Sequence, residues 1–460
     1  MGKGFPEGGE VSQDYLADVI TDELINELGQ IKTLRVVSRT SVMQFKRSRQ
    51  PLPEIANMLK VDGVVEGAVL QSGRRVRITA ELVDAKSDKQ LWAHSYEGKA
   101  DDLLALQGRV ASAVAQQVHV AVSPDEFARL TNVPSVNPEA HDAYLKGVFF
   151  WTTAGTPEDW KKALEYFELA VQKDPTYARA YAGLAGVYGN LTDQSLPSKT
   201  AIMKARAAAE KALELDGSLA EAHLAMALVH DADWNWPAAD AEYKRAIELN
   251  PNSAMAHNWY GQDLIDLGHP ESGISEIKKA VDLDPLATRI RTSLAWRLYF
   301  VRQYDESLAE ARHVLEVEPR SAFAHHVCGS VYEQRHKYDE AVTEWRQNLI
   351  LLGEEQLASS IAAAYQRAGD AGALQVWLSH FLEKSRHEYV SPLRMAELYV
   401  LLGNKNQAFL WLEKAFQAHT GDLMKLNSYP RWDPLRSDRR FVDLVRRVGL
   451  PSDSKAGSLP

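Results

Sequence analysis

Cysteine is almost missing from this chain: its 460 residues contain one, Cys328. That excludes an intramolecular disulfide and any multi-thiolate metal site, and it fits a reducing compartment. Long apolar runs are missing too. No stretch approaches the roughly 18 to 20 residues needed to cross a bilayer, and the opening MGKGFPEGGE lacks the apolar core of a signal peptide. The cytoplasm is therefore the expected compartment, with no membrane span. There is no excess of positive charge. Fifty-two Lys and Arg stand against 62 Asp and Glu, a net charge of −10, so direct nucleic-acid binding, which relies on clustered cations displacing counterions, is not expected. Catalytic signatures are also absent: there is no Walker A loop, GxGxxG, HExxH or GxSxG, and no cyclase or kinase motif. No enzymatic activity and no cofactor are expected.

What is present is a repeated helix ending. RAIELNP at 245–251 recurs as LAVQKDP (169–175), KALELDG (211–217), KAVDLDP (279–285) and HVLEVEP (313–319). Pro251, Pro285, Pro319 and Gly353 are evenly spaced, at an interval of about 34 residues. A fixed period means stacked units rather than a general liking of helices for Pro or Gly at their ends. Inside each unit a small residue sits where two helices would press together, with a large one four positions later on the same face and a further small one after it: Ala239, Tyr243 and Ala246 before Pro251, and Gly273, Ile277 and Ala280 before Pro285. In the first helices the pairs are Ala227 with His230, Gly261 with Leu264, Ala295 with Leu298, and Gly329 with Tyr332.

Period, small positions and terminal Pro together resemble the tetratricopeptide repeat, a helix–turn–helix of about 34 residues. The array is expected over residues 139–450, about eight units, with lengthened loops near TTAGTPED and NLTDQSLPSK and a degenerate unit around AAAYQRAGD. The resemblance implies a superhelix whose first helices line a concave groove for a protein or peptide ligand. Counting along the three best-phased units places Asn258, Gln262, Asp266, Arg289, Thr292, Trp296, Tyr299, His326, Ser330 and Glu333 toward that groove. Trp296 and Tyr299 are its expected aromatic anchors.

A second ladder, His223, His257, Arg291 and His325, runs at the same spacing. Residues one unit apart line a strip and cannot converge on one ion at about 2 Å. His325, His326 and Cys328 lack the i, i+4 spacing of a shared helix face. The ladder is expected to stack and hydrogen-bond between repeats, with no metal site.

Residues 11–122 have a different texture. DYLADVITDELINELGQI reads as a helix and LRVVS as a strand. Two short helices follow, then a hairpin across SGRR, a third strand QLWAHSYEG and a closing helix. The order α-β-α-α-β-β-β-α means a small α/β domain with a mixed sheet, so the fold class is α+β overall, with a linker at 123–138 and a flexible tail at 451–460. DELINELGQIKTLRVVSRTSV, VDGVVEGAVLQSGRRVRITAELVDAKSDKQLWAHSYEG and LLALQGRVASAVAQQV resemble the TolB-like, adenylate-cyclase-associated N-terminal domain that precedes tetratricopeptide repeats in bacterial signalling proteins. PRWDPLRSDRRFVDLVRRVGLP (430–451) is similar to that family's closing segment. The resemblance implies an upstream strand and often an upstream effector, where this chain has MGKGFPEGGEVSQ. Either the chain is a truncated or mis-started copy, or its sheet is one strand short with an exposed edge.

Fifteen basic and sixteen acidic side chains balance over residues 1–120, so Lys46, Arg47, Arg49 and Arg74, Arg75, Arg77 read as solvated edges. Arg436, Arg439, Arg440, Arg446 and Arg447 make the last helix basic, a complement to the acidic array. Two functional expectations follow: a noncatalytic scaffold or signalling adaptor that binds a protein partner in the groove, or the regulatory half of a transcriptional regulator or nucleotide cyclase whose effector is missing or supplied in trans. Partner identity, sensed signal and oligomeric state are not encoded legibly.

Overall fold

The computed structural model describes residues 13–46, 48–99, 103–118, 122–123, 126, 136–153, 157–190 and 198–451. The opening MGKGFPEGGEVS, Arg47, most of the expected linker and the tail from 452 lie outside the described residues. Among those described, α1 (Gln13–Gly29), α2 (Arg39–Val42), a 3-10 turn (Met43–Phe45) and α3 (Leu52–Leu59) precede β1 (Gly63–Ser72), β2 (Arg75–Asp84), β3 (Lys89–Lys99) and α4 (Leu103–Gln117). Alternation along β2 turns Val76, Ile78, Ala80 and Leu82 inward. There Val76, Ile78 and Ala80 meet Leu16 and Ile20 of α1 and Leu106 and Val110 of α4.

The sheet is not mixed. Its order is β1-β2-β3 with both pairings antiparallel, because LRVVS (34–38) is extended chain and not a strand. Its backbone groups are satisfied by the repeat array instead: Val36 N–H donates to Asn252 Oδ1 (2.9 Å), Ser38 N–H donates to the Leu283 carbonyl (3.0 Å), and the Leu34 carbonyl accepts from Asn252 Nδ2 (2.8 Å). An apolar pentapeptide needs ladder partners or equivalents, and here the equivalents come from the ends of repeat units far along the chain.

The repeats are helix hairpins: α5/α6 (Pro138–Thr153, Pro157–Lys173), α7/α8 (Ala178–Asn190, Ser198–Leu215), α9/α10 (Ala220–Ala232, Trp236–Leu249), α11/α12 (Ala254–Asp266, Pro270–Leu283), α13/α14 (Thr288–Phe300, Tyr304–Val317) and α15/α16 (Ala322–Gln334, Tyr338–Leu351). The seventh is one run, α17 (Glu355–Lys384), broken at Ala368 and at Gly369, whose φ of +65 with ψ −158 only glycine adopts without strain. The eighth is α18/α19 (Pro392–Leu401, Lys405–Gln417).

Why the tail recurs is visible at the helix ends. Asn250, Asp284 and Glu318 each precede a Pro, and each has left the helix (φ −135, −136 and −128), since the Pro ring disfavours the helical region for the residue before it. Between helices the packing is close enough to exclude a methyl group. A Cβ on Gly261 would lie 2.6 Å from the Gly273 carbonyl oxygen, and one on Gly273 would lie 2.5 Å from that of Gly261.

The ladder fastens the two helices of its own unit and, through its histidines, also joins that unit to the one before. His223, His257 and His325 set Nδ1 2.5, 2.5 and 2.6 Å from Glu242, Glu276 and Glu344, each nineteen residues on in the second helix of the same unit, and Arg291 Nη1 reaches Glu310 at 2.7 Å. The other imidazole nitrogen faces the carbonyl of Gly217, Pro251 or Pro319, six residues back. The two nitrogens thus tie the end of the preceding tail to the unit that follows it.

The N-terminal domain lies along the row of inter-repeat loops. The Arg179 fork at the start of α7 spans Glu23 and Glu27 of α1, the latter at 2.8 Å, and Ser41 Oγ donates to Asp284 Oδ1 at 2.6 Å. The Arg35 guanidinium donates to the Asp282 carbonyl at 2.6 Å.

Candidate functional site

The turn between the two helices of a unit needs a residue at positive φ. One occupant recurs per unit from the third onward: Trp234, Gly268, Arg302, His336, Gly369 and Gly403. Glycine does this without steric cost, whereas Trp, Arg and His in that region cost roughly 1–3 kcal/mol each. Two of the non-glycine occupants grip the chain's own C-terminal part. Trp234 stacks on His419 (ring centroids 3.8 Å apart) and Arg302 Nη2 donates to Asp433 Oδ1 at 2.7 Å. We expect Arg302→Gly to change stability by less than about 1 kcal/mol, because the relief of backbone strain offsets the loss of a half-exposed ion pair. Chemical denaturation would check this.

After α19 come two 3-10 segments, Gly421–Leu426 and Pro430–Leu435, and α20 (Arg439–Val448). The superhelix brings unit 8 back against unit 3, and the segment from Thr420 to Leu435 fills the concave face between them. Leu423, Leu426 and Leu435 are fully buried there and Trp432 nearly so. Arg431 is the polar centre of this packing: Nη2 donates to Glu333 Oε2 (2.7 Å) and Nη1 to Glu397 Oε2 (3.0 Å), carboxylates from units 6 and 8. The Tyr429 ring lies 5.0 Å from Phe300, 5.8 Å from Trp296 and 6.1 Å from Tyr299.

Against this, the residues placed on the groove by counting divide into three groups. Asp266, Trp296, Tyr299 and Glu333 meet the C-terminal segment. Asp266 accepts both from Ser428 Oγ and from Arg297 Nη1 at 2.9 Å, while Tyr299 is wholly buried and Trp296 stacks on it (4.9 Å, 4°). Thr292, Ser330 and Asn258 are buried inside the helix layer, Thr292 Oγ1 donating to its own helix at Thr288 O (2.7 Å). Gln262, Arg289 and His326 are at least partly open: Gln262 Oε1 accepts from Arg297 (2.9 Å), Arg289 is exposed beside Met255, and His326 lies 5.2 Å from Trp296. Burial, then the charges of Arg431 and Arg394, pushes the His326 pKa down to about 3, so it stays neutral. Phe323, exposed and stacked on His326, extends the open part of the aromatic wall.

Counting missed Arg297, Asp231, Asp263, Glu397 and Arg431. Arg297 is buried and bonded to Gln262 and Asp266 one unit earlier; its only signal was an arginine on an otherwise apolar face. Asp231 and Asp263, also one unit apart, face each other in the buried layer; Asp231 Oδ2 accepts from the Tyr243 hydroxyl at 2.6 Å. Burial and then the neighbouring Asp231 push Asp263 up to about 9, and burial pushes Asp231 up to about 7. Both folded values lie above the unfolded carboxyl's, about 3.9. Protonation of these two carboxyls therefore contributes stability that is complete below about pH 4 and is lost as pH rises through 7 and then 9. Melting temperature should fall from about pH 4 to about pH 9, and Asp263→Asn, which removes one of the two titrating carboxyls, should flatten the fall.

Comparison with known proteins adds the following. The family model for the second domain of HilA/YgeH-like transcriptional regulators matches residues 10–113; the TolB-like resemblance remains a reading of sequence. A putative adenylate cyclase 3 of Rhizobium meliloti is 27% identical over 48% of this chain and 38% of its own length. The transcriptional regulator HilA of Salmonella paratyphi A is 24% identical over 57% of this chain and 47% of its own. The chain spans less than half the length of these curated relatives. Among solved structures, yeast Tom70 aligns over 73% of this chain and 82% of its own at 15% identity and a TM-score of 0.40. YrrB, described as a TPR protein with an unusual peptide-binding site, aligns over 43% and 97% at 22% identity and 0.29. On its own period, hairpins and close-packed small residues, the chain has the fold of a tetratricopeptide-like array of helix hairpins, with a small α+β domain docked along its inter-repeat loops.

Proposed function

We propose that this chain is a noncatalytic interaction scaffold of the bacterial cytoplasm, binding a protein or peptide partner on the concave face of its array. The N-terminal domain, read as TolB-like, serves as a second docking or sensory module in signalling. The partner surface is the open reach of the residues counted onto the groove, with Arg289, Trp296 and His326 at its centre and Phe323 beside them. One observation carries the reading: a protein segment, the chain's own Ser428–Leu435, already lies against this face through an aromatic and an ion-paired arginine. Aromatic anchors of this kind carry a large share of interface energy. The test is capture from an extract of the source cell with wild type and with a Trp296→Ala, Phe323→Ala double variant. Loss of a specific partner with unchanged circular dichroism is expected, and equal capture by both would sink the assignment.

The second reading, the regulatory half of a transcriptional regulator or cyclase, is favoured by the likeness to HilA and to the putative cyclase. Specific retention of promoter DNA or formation of cyclic nucleotide by the purified chain would overturn the scaffold reading. An intact mass from the native cell above that of these residues would place an effector on the same polypeptide.

A further inference from the structure

We infer that the ligand of the concave face is a segment of the kind the chain supplies itself: an extended aromatic residue leading into a 3-10 turn that carries an arginine two positions on, followed by a tryptophan. This rests on the reading of that face as a partner surface and names the chemistry of its ligand.

The internal segment reports what the face recognises. Tyr429 is extended (φ −74, ψ 120) because Pro430 follows it, and its ring enters the gap bounded by Trp296, Tyr299 and Phe300 of α13. Arg431 then reaches Glu333 of α15 and Glu397 of α18 at once. Two carboxylates from different units, approached by one planar fork, select arginine over lysine, whose ammonium is a single point charge. Trp432 is 2% exposed. Aromatic gap, divided acidic pair and apolar seat together make a subsite that reads Tyr-x-Arg-Trp. A partner bearing that signature competes for the same place. The internal copy, tethered at an effective concentration on the order of millimolar, sets the threshold that a partner has to exceed.

The experiment uses the full chain and a fluorescein-labelled peptide, SYPRWDPL, with anisotropy as readout. Wild type, its site filled, is expected to bind the peptide at least ten-fold more weakly than Arg431→Ala. Replacing the peptide's arginine by alanine should lower its affinity for the Arg431→Ala chain at least ten-fold, as should adding Glu333→Gln to that chain. Tyr429→Leu, which keeps apolar volume in the gap and leaves the ion pairs in place, provides a second loosened chain if Arg431→Ala fails to fold. Equal binding to wild type and variants would mean the peptide sits elsewhere and would overturn the inference, as would no binding to a loosened chain with native circular dichroism. If extract capture still depends on Trp296 and Phe323 in that case, the groove reading survives and only the ligand class fails.

Discussion

Arg431→Ala is expected to destabilise the closed half of the array by about 3–5 kcal/mol, the range found when one member of a buried ion pair is removed and the other is left buried and uncompensated. Glu333 and Arg431 are 6% and 8% exposed, so neither carboxylate nor guanidinium has water to fall back on. The loss should be local. In a repeat array each unit contacts chiefly its neighbours, so units 1 and 2 should keep their amide protection while residues 420–450 and the ends of units 6 and 8 exchange faster. Hydrogen exchange read by mass spectrometry separates this from a global effect. Uniform loss of protection would mean that the closing segment supports the whole chain. Replacing Glu333, Glu397 and Arg431 together by apolar residues of similar volume should recover most of the stability, since the value of the three lies in mutual compensation.

Arg179→Ala should be comparable, again about 3–5 kcal/mol, but at the other end of the molecule. Glu23 and Glu27 are 2% and 7% exposed, and the guanidinium of Arg179 is the cation that joins them. Burial already pushes nearby Asp22 up to about 7, ahead of the opposing effect of Arg39. Removing Arg179 leaves α1 with a buried acidic cluster of which Arg39 offsets only Asp22. The N-terminal domain should then leave the loop row. Protease cleavage near residues 30–38, whose backbone bonds go to Asn252 and Leu283, is the direct readout. Resistance equal to wild type would show that those backbone bonds hold the domain without the arginine.

Much of this fold was legible because its determinants are local. Small residues at 261 and 273, or a Pro after Asn250, act on partners within their own unit or the next, and their effect does not depend on where the rest of the chain goes. Strand alternation at Val76 to Leu82 was legible for the same reason. LRVVS was misread because apolar extended chain looks alike whether its backbone bonds go to a sheet or to the loops of another domain. The groove was half legible. Helical counting placed Asp266 and Glu333 toward the groove, yet their partners Ser428 and Arg431 lie 162 and 98 residues further on, and no periodicity reports a contact at that separation. Tyr299 shows the consequence: expected as an exposed anchor, it is sealed beneath Tyr429 and Trp296.

By itself, then, the sequence determined the unit: its length, its helix ends and its close-packed glycines and alanines. The tertiary structure decided what those units enclose. Superhelical curvature is the sum of small packing rotations, one per unit, and no single unit encodes the total. That sum brings Trp234 of unit 3 onto His419 after unit 8 and places Arg431 between two distant carboxylates, while burial within the helix layer raises the carboxyls of Asp231 and Asp263 above their ordinary range.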